Sequence, residues 1–97
     1  MGCRMPTTSS LLLLMKSWFV YIVQCSDDTL YTGVTTDVDR RVLEHNNSNK
    51  GAKYTMFRRP VKLLWCTEYS NRSEAQAAEY KLKKLSRKKK LEIVNNG

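Results

Sequence analysis

Residues 18–24 read Trp-Phe-Val-Tyr-Ile-Val-Gln. Successive side chains of an extended chain point to opposite faces, so this run is apolar on both. Its β-branched and aromatic residues suit a strand, and such a strand has to be covered on both sides. A chain of 97 residues makes one domain with a modest core, burying about 60–65% of its unfolded surface. The remaining segments supply the cover. Cys25-Ser26-Asp27-Asp28 is a turn, and 29–34, Thr-Leu-Tyr-Thr-Gly-Val, is the second strand of a hairpin. Thr36-Asp37 offers an N-cap to a helix reaching about residue 46. Residues 46–61 read as irregular, and 62–69 as a third strand. Ser70 to Ser73 cap a helix over 73–84, and Ser86 caps a final helix over 87–94. The expected fold is an α+β domain in the order β-β-α-β-α-α, a small three-stranded sheet flanked by helices. It spans 17–94, after a loose extension at 1–16 and before a short tail at 95–97.

Several classes drop out. Apolar residues make up 41% of the chain, which argues against disorder. No apolar run approaches the ~20 residues of a membrane span. The run at 11–15 is shorter than a signal peptide requires. Met1-Gly2 suggests myristoylation, but Pro6 stands where Ser or Thr is needed; Met15 is an alternative start. Cys3, Cys25 and Cys66 with one His are too scattered for a zinc site. Their odd number without Cys-x-x-Cys fits a reducing compartment, so a cytoplasmic location is expected.

Charge is lopsided. The net charge is +8, and 13 of the 17 basic residues lie in 50–97. A basic half on a small domain points to a polyanion, most often nucleic acid; a solvated surface is the plainer alternative. Two segments concentrate it. Lys50, Lys53, Arg58 and Arg59 interleave with Tyr54 and Phe57, a pattern for phosphate contact and base stacking. Residues 81–90 hold seven Lys or Arg, among them Lys84, Arg87, Lys88, Lys89 and Lys90. No base-reading module accompanies them, so recognition by shape is expected.

Helical wheels pick out further groups. At about 100° per residue, Val38 and Val42 share one side of the first helix; Arg41 and His45, one turn apart, border it, while Arg40 points away. An Arg and a His beside a core are costly unless paired or in use; a snorkelling Arg and a His on a backbone carbonyl would also satisfy them. Glu79 falls about 80° from the centre of the Ala75, Ala78, Leu82 and Leu85 side. An i,i+4 pair with Lys83 would account for it without function. In an even-sum hairpin register Tyr21 lies opposite Gly33 and Tyr31 opposite Val23, placing both rings on one face with space beneath Tyr21.

These residues resemble a known family. Val20-Tyr21-Ile22, ten residues from tyrosine to tyrosine, and Tyr31-Thr32-Gly33 match the GIY-YIG nuclease signature in its Tyr-Thr-Gly form. The continuation through Arg41 and His45, the Lys50-Gly51-Ala52-Lys53-Tyr54-Thr55 stretch and Glu79 before Lys81-Leu82-Lys83 are similar too. The likeness is greatest to small stand-alone bacterial members of the UPF0213 type. It implies metal-dependent hydrolysis of DNA, branched, flapped or single-stranded. Tyr21 or Tyr31 would orient or deprotonate water, Arg41 would steady the phosphate, and His45 would serve as acid/base or phosphate ligand. Glu79 would hold one divalent cation, Mg²⁺ or else Mn²⁺, and Gly33 would be structural. A repair or recombination protein is the partner such a domain would have. The alternative is a binding or recruitment module without turnover. The chain departs from the family at Val20 for the leading glycine, and at Val34-Thr35-Thr36, where many members carry Lys. It departs again at Lys90-Leu91-Glu92, where many carry Asn.

Overall fold

The computed structural model describes residues 17–47, 50 and 52–96; the expected N-terminal extension lies outside them. Three strands form one antiparallel sheet in the order β2-β1-β3, with β1 at Trp18–Gln24, β2 at Leu30–Thr35 and β3 at Lys62–Tyr69. Helices α1 (Val38–Asn47), α2 (Lys53–Met56), α3 (Arg72–Lys83) and α4 (Arg87–Asn96) complete the domain. The doubly apolar strand is the central one. Phe19, Val20, Tyr21, Ile22 and Val23 are all buried, each worth roughly 1.5–3 kcal/mol if fully withdrawn from water.

The two faces of β1 feed two cores. Phe19, Tyr21 and Val23 join Val38 of α1 and Val61, with Val42, Leu63 and Cys66 packed against them. Val20 joins Ala75 and Leu82 of α3, with Trp18, Trp65 and Ile93 around it. The small Ala75 lets α3 lie close to the sheet. Asp37 caps α1 by accepting from the Arg40 amide at 3.1 Å, Asn71 caps α3 through the Glu74 amide at 2.9 Å, and Ser86 receives the Lys89 amide at 3.2 Å. In the hairpin turn Asp28 takes a φ of 68°, a left-handed conformation that Asp tolerates better than most residues.

Two expectations need correction. The stretch read as irregular at 46–61 contains α2, a single turn with Thr55 buried inside it. Its four residues carry no apolar periodicity, and its stability comes from tertiary bonds described below. The last helix also runs through Asn96 instead of stopping at 94.

Candidate active site

The β1–β2 register pairs Tyr21 with Gly33 and Val23 with Tyr31, which puts both tyrosines on the face covered by α1. A Cβ on Gly33 would stand 2.4 Å from the Tyr21 hydroxyl oxygen; glycine is there because the phenol occupies the space a side chain would need.

His45, on the inner side of α1, is fully buried. Its Nε2 lies 2.8 Å from the Tyr21 hydroxyl and its Nδ1 2.8 Å from Thr55 Oγ1. It is therefore held by two side chains, not by a backbone carbonyl. The Thr55 proton has two acceptors in reach, the Ala52 carbonyl at 2.9 Å and His45 Nδ1. With the proton on the carbonyl, Nδ1–H donates to Thr55 and Nε2 accepts from Tyr21. With it on Nδ1, which the Ala52 amide also approaches at 3.4 Å, Nε2–H donates to Tyr21. The same three residues thus satisfy a neutral imidazole in either tautomer.

Electrostatics keep this chain neutral. Burial, and then the nearby Arg41 charge, push the His45 pKa down to about 4. Burial pushes the Tyr21 phenol up to about 12, while the Arg41 guanidinium beside its hydroxyl pulls the other way. Arg41 is fixed by Glu44 Oε1 at 2.9 Å and the Lys50 carbonyl at 2.8 Å, both bonds leaving from Nη1. Arg40 projects to solvent, with Glu44 at 3.7 Å.

Tyr31 lies edge-on to the His45 ring, with centroids 5.4 Å apart, and stacks on Tyr54 at 5.8 Å. Glu79 approaches from α3, on the other face of the sheet. Its carboxylate pairs with Lys83 Nζ at 3.2 Å, and that ammonium sits 6.0 Å from the Tyr31 ring centroid. The Glu79 charge is close enough to raise the Tyr21 pKa. Tyr21, Tyr31, Arg41 and His45 are thus gathered from β1, β2 and α1 on one face, and Glu79 of α3 is linked to them through Lys83.

The expected DNA contacts divide. Lys50, Lys53, Lys84, Lys88 and Lys89 are exposed, although Lys84 caps the Tyr80 ring at 4.1 Å and Lys89 has Glu92 at 4.0 Å. Lys90 is half-buried, and its pKa is lowered by burial. Three arginines are committed to the protein: Arg58 to Asp27 at 3.0 Å, Arg59 to the His45 carbonyl and Arg87 to the Asp28 carbonyl. Sequence reasoning gave no site role to Thr55 or Glu44, whereas the Glu79–Lys83 pair was foreseen from its i,i+4 spacing. For Glu44 the i,i+3 spacing from Arg41 was a usable signal; for Thr55 the signal was its place at the end of the family-like stretch 50–55, which by itself assigned it no contact.

Comparison with known proteins identifies the domain. Residues 17–92 match the family described as the GIY-YIG catalytic domain. A UPF0213 protein of Desulfotalea psychrophila is 55% identical over 80% of this chain and 71% of its own length. One from Staphylococcus epidermidis is 49% identical over 86% of this chain and its entire length. Among solved structures, the NMR structure of a Bacillus halodurans UPF0213 protein is 47% identical, covers 81% of this chain and 83% of that one, and superposes with a TM-score of 0.53. A protein from E. faecalis is 43% identical over 84% and 85%, with a TM-score of 0.59. Among the described residues no helix is long and apolar enough to cross a membrane. The family match over residues 17–92 and relatives about half identical along most of their length mean that this chain belongs to the GIY-YIG nuclease family.

Proposed function

We propose that the protein is a metal-dependent endonuclease that hydrolyses DNA phosphodiester bonds and selects its substrate by structure. The observation that carries this reading is the hydrogen-bonded line Thr55–His45–Tyr21, with Arg41 beside the Tyr21 hydroxyl and the Glu79 carboxylate nearby. Arg41 binds the scissile phosphate and steadies its developing charge. Glu44 and the Lys50 carbonyl hold the guanidinium in place, so no reorganisation is needed when charge builds up. Tyr21 orients the attacking water. Its hydroxyl is held for this by His45 Nε2 at 2.8 Å and by the Arg41 guanidinium beside it. Tyr31 and Tyr54 wall the opposite side.

Glu79 is the residue that would hold a divalent cation, Mg²⁺ with Mn²⁺ as substitute. The donor set fits. Among the described residues no cluster of three His, Cys, Asp or Glu is gathered, whereas Mg²⁺ takes one or two carboxylates and keeps its waters. The Glu79 side chain is only 22% exposed yet retains an accessible edge. Its Lys83 partner is an i,i+4 pair worth a few tenths of a kcal/mol, which a cation can displace. When bound, the cation would polarise a phosphoryl oxygen and help the leaving group depart.

The test is cleavage of branched, flapped, single-stranded and plain duplex DNA with Mg²⁺ or Mn²⁺, comparing the wild type with Glu79→Gln. Glu79→Gln is expected to abolish cleavage and leave DNA binding nearly intact. Unchanged activity per folded molecule with a lowered Tm would remove Glu79 from the chemistry. A second reading, a binding or recruitment module, draws on the Glu79–Lys83 ion pair and the absence of Lys at 34–36. DNA binding without cleavage of any substrate would favour it.

A further inference from the structure

The two aromatic residues of the basic loop have different surroundings. Tyr54 is 39% exposed, and its ring is already in use: it stacks on Tyr31, and the Arg58 guanidinium lies 4.1 Å from its centroid. Arg58 is itself fixed by Asp27 at 3.0 Å and the Tyr54 carbonyl at 2.8 Å. Phe57, at the C-terminal end of α2, is 88% exposed. Among the described residues its ring makes no aromatic or cation contact.

Location gives this ring its meaning. Phe57 is two residues beyond Thr55, whose hydroxyl touches His45, so its Cα is at most ~8 Å from that of Thr55. The turn that presents it is the turn that positions the His45–Tyr21 pair. Lys53 lies four residues earlier, at the start of α2, and is exposed. Pro60 and Lys50 are exposed nearby in sequence, and Met56 is half-buried. An apolar protein partner would want a contiguous apolar patch. A single flat ring in a cationic surround matches a ligand that brings one flat ring and one phosphate together, which is a nucleotide. A base inside a duplex has both faces covered by its neighbours, so only an unpaired or end-stacked base can take such a place.

We propose that Phe57 is a stacking platform for an unpaired nucleobase next to the phosphate held at Arg41, with Lys53 on that nucleotide's phosphate. The protein then selects DNA with at least one unpaired nucleotide at the site: a flap, a bulge or a strand end. The stacking itself needs only that DNA is bound there; its placement beside a scissile bond rests on the endonuclease reading above.

The experiment uses the full chain carrying Glu79→Gln, so that binding is measured without cleavage. The probes are a duplex with a short flap whose first unpaired base is 2-aminopurine, and the same duplex fully paired. Phe57→Ala is expected to lower affinity for the flapped probe by roughly 10- to 100-fold and to leave the paired duplex nearly unchanged. The 2-aminopurine fluorescence should be quenched by the protein with Phe57 and not by Phe57→Ala. Phe57→Trp should restore both readouts, and Phe57→Leu, apolar but not flat, should restore neither. Full rescue by Leu, or equal losses on both probes, would overturn the proposal. The exposure of Phe57 means that Tm should not fall in any of these variants. Stacking by a protein that cleaves nothing would sink the endonuclease reading alone, and cleavage indifferent to Phe57 would sink the stacking alone.

Discussion

Gly33→Ala tests whether the site is assembled as described. An added Cβ would meet the Tyr21 hydroxyl oxygen at 2.4 Å, its ring carbon Cζ at 2.6 Å and Cε1 at 2.9 Å. All three atoms belong to one ring, and that ring cannot turn aside cheaply. Tyr21 is 1% exposed, and its hydroxyl is tied to His45 at 2.8 Å. Gly33 cannot withdraw either, because it is paired with Tyr21 in the β1–β2 ladder. Overpacking of this kind costs about 1–3 kcal/mol, and pulling Tyr21 from His45 adds about 1 kcal/mol. Against this, Ala stiffens the unfolded chain and returns about 0.4–1 kcal/mol. The net expectation is a loss of about 2 kcal/mol, a fall in Tm of roughly 8–16 °C for a domain of this size. Thermal and urea unfolding measure it. The decisive arm is the same substitution in a Tyr21→Ala background, where the obstructing ring is gone. There Gly33→Ala should be neutral or mildly stabilising, giving a coupling of about 2 kcal/mol between the two positions. An equal loss in both backgrounds would show that Gly33 is needed for some reason other than Tyr21, and the reasoning would fail.

Arg41→Ala should lower cleavage by about 10²–10³, and Arg40→Ala should do far less, because only Arg41 lies beside Tyr21; equal losses in the purified variants would contradict the site. His45 gives the protein a pH-dependent stability. Its folded pKa near 4 lies below the ordinary 6.5, so as pH falls the unfolded chain takes up this proton first. The stabilisation is complete above pH 6.5 and is lost progressively down to about 4, up to about 3 kcal/mol. Denaturant midpoints at several pH values should show this slope in the wild type, and much less of it in His45→Gln.

How much of this was legible in the sequence depended on the range of the interaction. The bounds of β1 and β3 could be read to the residue, because an apolar, β-branched run is a local signal. The pairing of Tyr21 with Gly33 was one of the few registers that a short turn leaves, but the turn residues did not single it out. The wheels put Arg41 and His45 at the border of the apolar side of α1, which fits the part-buried Arg41 but did not foresee that His45 would be fully buried and sealed between Tyr21 and Thr55. The Thr55 contact joins α1 to a one-turn helix that has no pattern of its own. Charge was the least legible property. A count of basic residues treats every cation as available, yet Arg58, Arg59 and Arg87 bind Asp27, the His45 carbonyl and the Asp28 carbonyl. Those partners are distant in sequence, so nothing local marks the three arginines off from the exposed lysines beside them. Their commitments also do something the exposed lysines cannot. The Ser26 amide donates to the Arg58 carbonyl at 2.8 Å, and Arg58 and Arg87 grip adjacent residues of the same β1–β2 turn. The basic loop and the start of α4, separate in the chain, are thereby fastened to one point. Part of the positive charge is thus spent on holding the basic loop and the start of α4 to the same turn.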